Sequence, residues 1–521
     1  MKQLLQSLCC LGILASALRS GPVMADVPPG CEVLPIAVHN GTCEVVLPTR
    51  CAEEEFYLIL GSLSRHTSLQ AVTVRTEVTT DATQIPREAH SADHAWRQQI
   101  QTLDERLAKA RLSRLPGHIY AAIAHPPPRK TFYLFSAEHD FDNPASYVAL
   151  EADLVAVGRR CQVYVDRAYS TIDELVPTID DAVRTFDNEV YPFARQRLGE
   201  ALDVDRDGRF TMLFTSRLSE LAGGKVSLSG FVRGTDWYRD LQAPFGNRCD
   251  MMYLNTDLKP GAYLHSILAH EYTHAILFSE HVFGAYLPDA PRQDEEAWLN
   301  EGLAHLAEDL HHYGWQNLDY RIAAYLREPE HYALVVPDYY SAGLWRSPGH
   351  RGAAYLFIRW CSDHYGVDLA RKLIQSNLAG VANLEVATGE HFSDLFRQWC
   401  VATLLSGTGV DVASISPLLL NLRHSLGSQS LSGPHTTELS LAGAQLQIQF
   451  AGTAAAYVLL HSPAGERARI SIRAEPQVEL QVTLLHFPKH VVAGPETKYD
   501  PLAWPGTGGP CSVRTQRACE P

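Results

Sequence analysis

His270, Glu271 and His274, in the run HEYTH, have the residue types and spacing to hold a metal ion and act beside it. On a helix, residues four apart are separated by about 40° around the axis and one turn along it, so both imidazoles can meet one ion. Glu271 is rotated by about 100° and would flank that ion, where a carboxylate serves as base for an activated water. The surrounding AYLHSILAHEYTHAILF places Leu264, Ile267, Leu268, Ile276 and Leu277 at helical spacing with no interior Pro or Gly. The plainer alternative is a histidine pair packed on a core helix.

A second helical run, EEAWLNEGLAHLAEDL, offers Glu301 as a third ligand. Two His and one carboxylate leave a tetrahedral zinc with one open position. His305 lies four residues after Glu301 on the same face and competes for that role, and Glu308 is placed to orient a histidine from behind.

HEYTH followed by WLNEGLA resembles the gluzincin metallopeptidases, and the WLNEG wording is close to the aminopeptidase N family. Residues 172–214 and 352–399 resemble the hyicolysin-like secreted bacterial metallopeptidases, so the likeness covers roughly residues 168–405. It implies His270, His274 and Glu301 as zinc ligands, Glu271 as general base and a polypeptide substrate. The two motifs stand further apart than in aminopeptidase N relatives, with SEHVFGAYLPDAPRQDEE as an inserted loop. No GAMEN-type stretch for holding a free amino terminus is found, so an endopeptidase is expected. Related sequences place a Tyr oxyanion donor just before GAAYLF, where this chain has Arg351 with His350 beside it. Among His350, Arg351, Tyr340 and Tyr355, His350 is the expected donor. The rivals are an aminopeptidase and a non-catalytic surface or adhesion protein with a retained zincin fold; an intact Glu271 speaks against the latter.

DVDRDGR puts Asp203, Asp205 and Asp207 at the first, third and fifth places of an EF-hand loop, a candidate Ca2+ turn. The twelfth place is Phe214 instead of Glu, which excludes a full EF-hand. GGKVSLSGFVRGTDWYRD (223–240) is a candidate edge strand for a peptide to pair with.

These elements sit in a chain of 521 residues, too long for one core. The expected class is α+β: a zincin-like catalytic domain with a helical subdomain, flanked by β-rich regions. Residues 1–25 read as a secretory signal, with Lys2 before a short apolar run, implying a secreted or periplasmic protein. A β-rich N-terminal region with a helix at 92–115 is expected over 26–166, as a pro-region or binding domain. The peptidase domain follows at 167–410, a linker at 411–429 and a C-terminal β domain at 430–521. Losing Lys2 and Arg19 would take the formal charge from −15 to −17. Such acidity disfavours nucleic acid as a partner, and no later run is apolar enough to span a membrane. Of the 11 cysteines, those beyond Cys9 and Cys10 would favour disulfides in an exported chain, notably within 31–51 and 511–519.

Overall fold

The structure, a computed structural model, describes residues 31–47, 54–88, 125–136, 140–221, 227–239, 241–283, 294–410, 412, 414–461 and 466–488. The expected signal segment, the helix expected at 92–115 and Cys51, Cys511 and Cys519 lie outside them. The fold is α+β, with a helical region between β-rich ends.

Strands β1 (Glu32–Ile36), β2 (Thr42–Leu47), β3 (Glu54–Ser62) and β4 (Gln70–Thr79) come first. A second group follows: β5 (Arg129–Phe135), β6 (Tyr147–Val157), β7 (Cys161–Asp166), β8 (Phe210–Thr215), β9 (Gly230–Phe231) and β10 (Met251–Asn255). This group forms one six-stranded sheet in the order β5-β6-β7-β8-β10-β9. Strands β7, β8 and β10 are parallel, and β9 runs antiparallel at the edge. Side chains alternate along β8 and β10: Met212, Phe214, Met252 and Leu254 join the helix-covered core, while Leu213, Met251 and Tyr253 fill the other face. The division expected at residue 166 is therefore corrected. Strands β5 to β7 belong to the sheet that carries the site, because an apolar strand reads the same in sequence whichever sheet it joins.

Helices α1 (Ile172–Thr185) and α2 (Tyr191–Arg197) lead from β7 to β8, and α3 (Ala262–Phe278) follows β10. Next come α4 (Ala297–Leu310), α5 (Asp319–Arg327), α6 (Pro348–Tyr365), α7 (Leu369–Ile374), α8 (Gly380–Thr388) and α9 (Phe392–Leu405). Helix α6 is the hub of this region, and glycines let it approach its neighbours. A Cβ on Gly302 of α4 would lie 3.1 Å from the Ala354 carbonyl oxygen, and one on Gly352 would run into the Arg321 carbonyl of α5. Gly352→Ala is expected to lower stability by about 1–3 kcal/mol through this backbone clash, read from denaturant unfolding.

After the short pair β11 (Ser425–Leu426) and β12 (Gln429–Ser430), the chain adds β13 (Thr436–Ser440), β14 (Gln445–Phe450), β15 (Ala455–His461), β16 (Arg467–Ala474) and β17 (Leu480–Pro488). These interleave with the first four strands in two sheets, β1-β17-β3-β15-β13 and β14-β4-β16-β2. Leu58, Leu60, Val74, Ile470 and Val482 are among the residues of their common core. The N-terminal and C-terminal β-rich stretches, expected as two units, are thus one sandwich. The pairing spans most of the chain and leaves no local signature. The sandwich docks on α9: Arg397 Nη1 donates to the Val482 carbonyl at 3.1 Å and to Thr483 Oγ1 at 3.0 Å.

Cys31, Cys43, Cys161, Cys249, Cys361 and Cys400 are buried free thiols, so the expected disulfides are not found among the described residues. No helix among those residues is long and apolar enough to cross a membrane.

Candidate metal centre

Helix α3 is apolar on nearly every side and buried along most of its length, as a helix behind a sheet must be. His270 and Glu271 are buried within it, each only 5% exposed. Polar groups placed there need partners, and α4 supplies them. Asn300, Glu301, His305 and Glu308 recur at helical spacing and face α3.

His270 Nδ1 meets Glu308 Oε1 at 2.7 Å, and His274 Nδ1 meets Asn300 Oδ1 at 2.5 Å. Both acceptors take the Nδ1–H tautomer, which leaves the Nε2 lone pair of each ring free. Those two Nε2 atoms stand 3.1 Å apart, and Glu301 Oε2 lies 3.5 Å from His270 Nε2. Two lone pairs and a carboxylate oxygen converging in this way repel one another unless a cation sits among them. Tetrahedral ligands about 2.0–2.1 Å from zinc are about 3.3–3.4 Å from each other, which the spacing fits. Glu301 Oε2 and Glu271 Oε2 are buried without any protein hydrogen-bond partner. Arg351 Nη2 holds the other Glu301 oxygen at 2.8 Å and so leaves Oε2 turned to the histidines.

The electrostatics agree. Burial lowers the pKa of His270, but the neighbouring Glu301 and Glu308 carboxylates outweigh it and hold the ring up at about 10. Burial and the His270 charge push His274 down to about 4. Burial raises Glu271 to about 7, suiting a carboxylate that exchanges protons near neutrality. Glu301 stays well below the usual carboxylate range because Arg351 and the two histidines overcome its burial.

His305, the competing ligand, turns its Nδ1 to Glu308 Oε1 at 2.8 Å, while its Nε2 stands 3.9 Å from Glu301 Oε2. His270, His305 and Glu308 form a second possible ligand group among the described residues, but His270 Nδ1 and His305 Nδ1 hydrogen-bond to the same Glu308 oxygen. Asn317 Nδ2 donates to that oxygen at 2.8 Å, and Glu308 is held down at about 2 despite its burial. Glu308→Gln keeps an acceptor but loses the charge that strengthens His270 as a donor. It should weaken zinc binding by about 10–100-fold in a competition titration against a chromogenic chelator.

The site opens into a cavity of about 620 Å³. One wall is the β9 edge, with Ser227, Leu228, Gly230, Phe231 and Val232, inside the segment expected to offer a pairing edge. The lining also includes Tyr320, Arg321, Trp345, Arg346 and Arg351. His350, the expected oxyanion donor, does not line it. Its ring packs against Tyr332 and Tyr339, and Nδ1 meets Ser347 Oγ at 2.7 Å. One step along α6 rotates a side chain by about 100°, so it is Arg351 that faces the ion site. Tyr355 is buried with its hydroxyl on Asp309 Oδ2 at 2.8 Å, and Tyr340 is 51% exposed beside Phe141.

The three aspartates expected to bind Ca2+ do not converge. Asp207 accepts from Gln162 Nε2 at 2.6 Å and from the Arg209 amide at 2.8 Å. Asp203 and Asp205 instead group with the buried Asp250, the residue before β10. Lys130 Nζ already stands 3.2 Å from Asp205 Oδ2 and supplies a cation there. The sequence reading missed Asn300, Arg321 and Asp250; only Asn300, adjoining Glu301, had a nearby motif to draw attention to it.

No protein-family model matches the chain. Over 142 residues it is 26% identical to a neutral metalloprotease, ShpI, of Staphylococcus hyicus; the match covers 26% of this chain and 30% of that protein. Among solved structures, Legionella pneumophila aminopeptidase A in complex with aspartic acid matches over 52% of this chain and 27% of its own. The identity there is 12% and the TM-score 0.28.

Proposed function

We propose that this chain is an exported zinc-dependent endopeptidase, with His270, His274 and Glu301 holding the ion and Glu271 as general base. The observation that carries the reading is the pair of imidazole Nε2 atoms 3.1 Å apart, each ring fixed from behind, with an unpartnered carboxylate oxygen beside them. The partial likeness to a metalloprotease supports it. Export rests on the character of residues 1–25.

Zinc bound at these three side chains supplies Lewis acidity toward a carbonyl oxygen and lowers the pKa of water. The chain's own groups do the rest. Glu271 lines the cavity with an oxygen that has no protein partner, placed to take the proton of an attacking water and hand it to the leaving amine. Glu308 and Asn300 keep the two rings in one tautomer, and Arg351 fixes the rotation of Glu301. The β9 edge offers backbone groups along which an extended peptide can lie.

An endopeptidase fits better than an aminopeptidase. Among the described residues lining the cavity, the only carboxylates are Glu271 and Glu301, and three arginines face them. A free α-ammonium group finds no further anion there. Purified protein should therefore cut an unfolded protein substrate internally and act equally on peptides with acetylated and free amino termini. Cleavage confined to free amino termini would overturn the endopeptidase reading.

A further inference from the structure

The cavity lining carries more positive charge than the candidate metal centre uses. Arg321 and Arg351 come from adjoining helices, brought together where Gly352 lets α6 touch the α5 backbone. They are close enough that Arg351 opposes the charge of Arg321. Arg351 spends Nη2 on Glu301, and Arg321 spends Nη1 on Asn317 Oδ1 at 2.6 Å and on the Asn317 carbonyl. The Nε–H of each has no acceptor within the protein. At the rim, Arg346 lies over the Trp345 ring at 4.0 Å, and both residues line the cavity.

Charge balance sharpens the point. With a divalent cation bound, three carboxylates (Glu271, Glu301 and Glu308) stand against two guanidiniums and two charges on the ion. One positive charge is left over in a partly buried space. Like charges are brought together under burial only at a cost, which an incoming anion would relieve. Guanidinium is also the side chain whose fork matches a carboxylate.

We propose that Arg321, Arg351 and Arg346 form a carboxylate-recognising subsite, so that the preferred substrate presents a carboxylate close to the bond that is cut. This rests on the peptidase reading above and names the substrate class. The carboxylate comes either from an Asp or Glu side chain or from a free carboxyl terminus.

The test uses dye-labelled peptides of one length: amidated peptides with Glu or Gln at each position in turn, and the Gln peptide with a free carboxyl terminus. Binding to the zinc-loaded Glu271→Gln protein is read by fluorescence anisotropy, and cleavage by the wild-type protein is followed in parallel. One carboxylate peptide should bind about ten-fold or more tighter than its neutral counterpart. Which peptide it is identifies the source of the carboxylate. Arg321→Gln should bring the ratio to within about two-fold, and Arg346→Gln, at an exposed site, should lower it partially. A purely structural role for these arginines would change melting temperature without moving that ratio. Equal binding of all peptides by the Glu271→Gln protein with its three arginines intact overturns the proposal, as does a ratio unmoved when Arg321→Gln and Arg346→Gln are each added to it. If Arg321→Gln fails to fold, the Arg346→Gln ratio decides. Cleavage without carboxylate preference would sink this proposal and spare the peptidase reading; selective binding with no cleavage would do the reverse.

Discussion

Glu271→Gln is expected to lower peptide hydrolysis by about 10²–10⁴-fold while zinc stays stoichiometric, because the amide keeps the size of the side chain and cannot accept a proton. Glu271 makes no ligand contact in the His270, His274 and Glu301 group, so its loss leaves the ion's donors in place. Burial, which raises its carboxyl to about 7, tunes it for proton exchange near neutral pH. Removing that charge chiefly relieves its burial, which outweighs the lost attraction to His270, so the variant should be no less stable than the parent. The measurement pairs initial rates on an unfolded protein with metal content by atomic absorption. Undiminished activity in Glu271→Gln would end the peptidase reading.

His274→Ala is the second large effect. It removes one of three converging donors, so stoichiometric zinc should be lost and hydrolysis should fall to background together. A ligand held only by the native state stabilises it by about 4 kcal/mol at a concentration a thousand times its Kd, so the melting temperature should fall as well. Chelator treatment of the wild-type protein should reproduce that fall, and chelator should then have no effect on His274→Ala. His350→Phe is the contrast: its ring packs on tyrosines outside the cavity, and zinc should be retained. Full zinc occupancy in His274→Ala would mean that this histidine is not a ligand.

The parts of this site that could be read from residues were those set by a single helix's own geometry. His270 and His274 face one way because four residues make about one turn, and Glu301 with Glu308 follows the same rule on α4. What depends on two elements meeting was not legible. Whether His350 or Arg351 faces Glu301 turns on the phase of α6 against α4 and α5, which Gly302 and Gly352 fix by close approach. Asp250 replaced Asp207 in the acidic group because β10 pairs with β8, a contact between segments that share no motif. Strands were found by their alternation, yet their assignment to sheets was not, since β4 pairs with β16 nearly four hundred positions away.

The interleaving of β1 to β4 with β13 to β17 has a consequence for how such a chain matures. Strand β3 lies between β15 and β17, so the nascent polypeptide must hold its first strands unpaired until its last ones emerge. The strands within residues 32–79 are stitched into both layers of the sandwich. Removing residues 31–88 would strip β16 and β17 of both their neighbours, take from β14 its one partner and leave β15 paired on one side. The strands of residues 32–79 and those of residues 436–488 therefore depend on one another for their hydrogen-bonded neighbours.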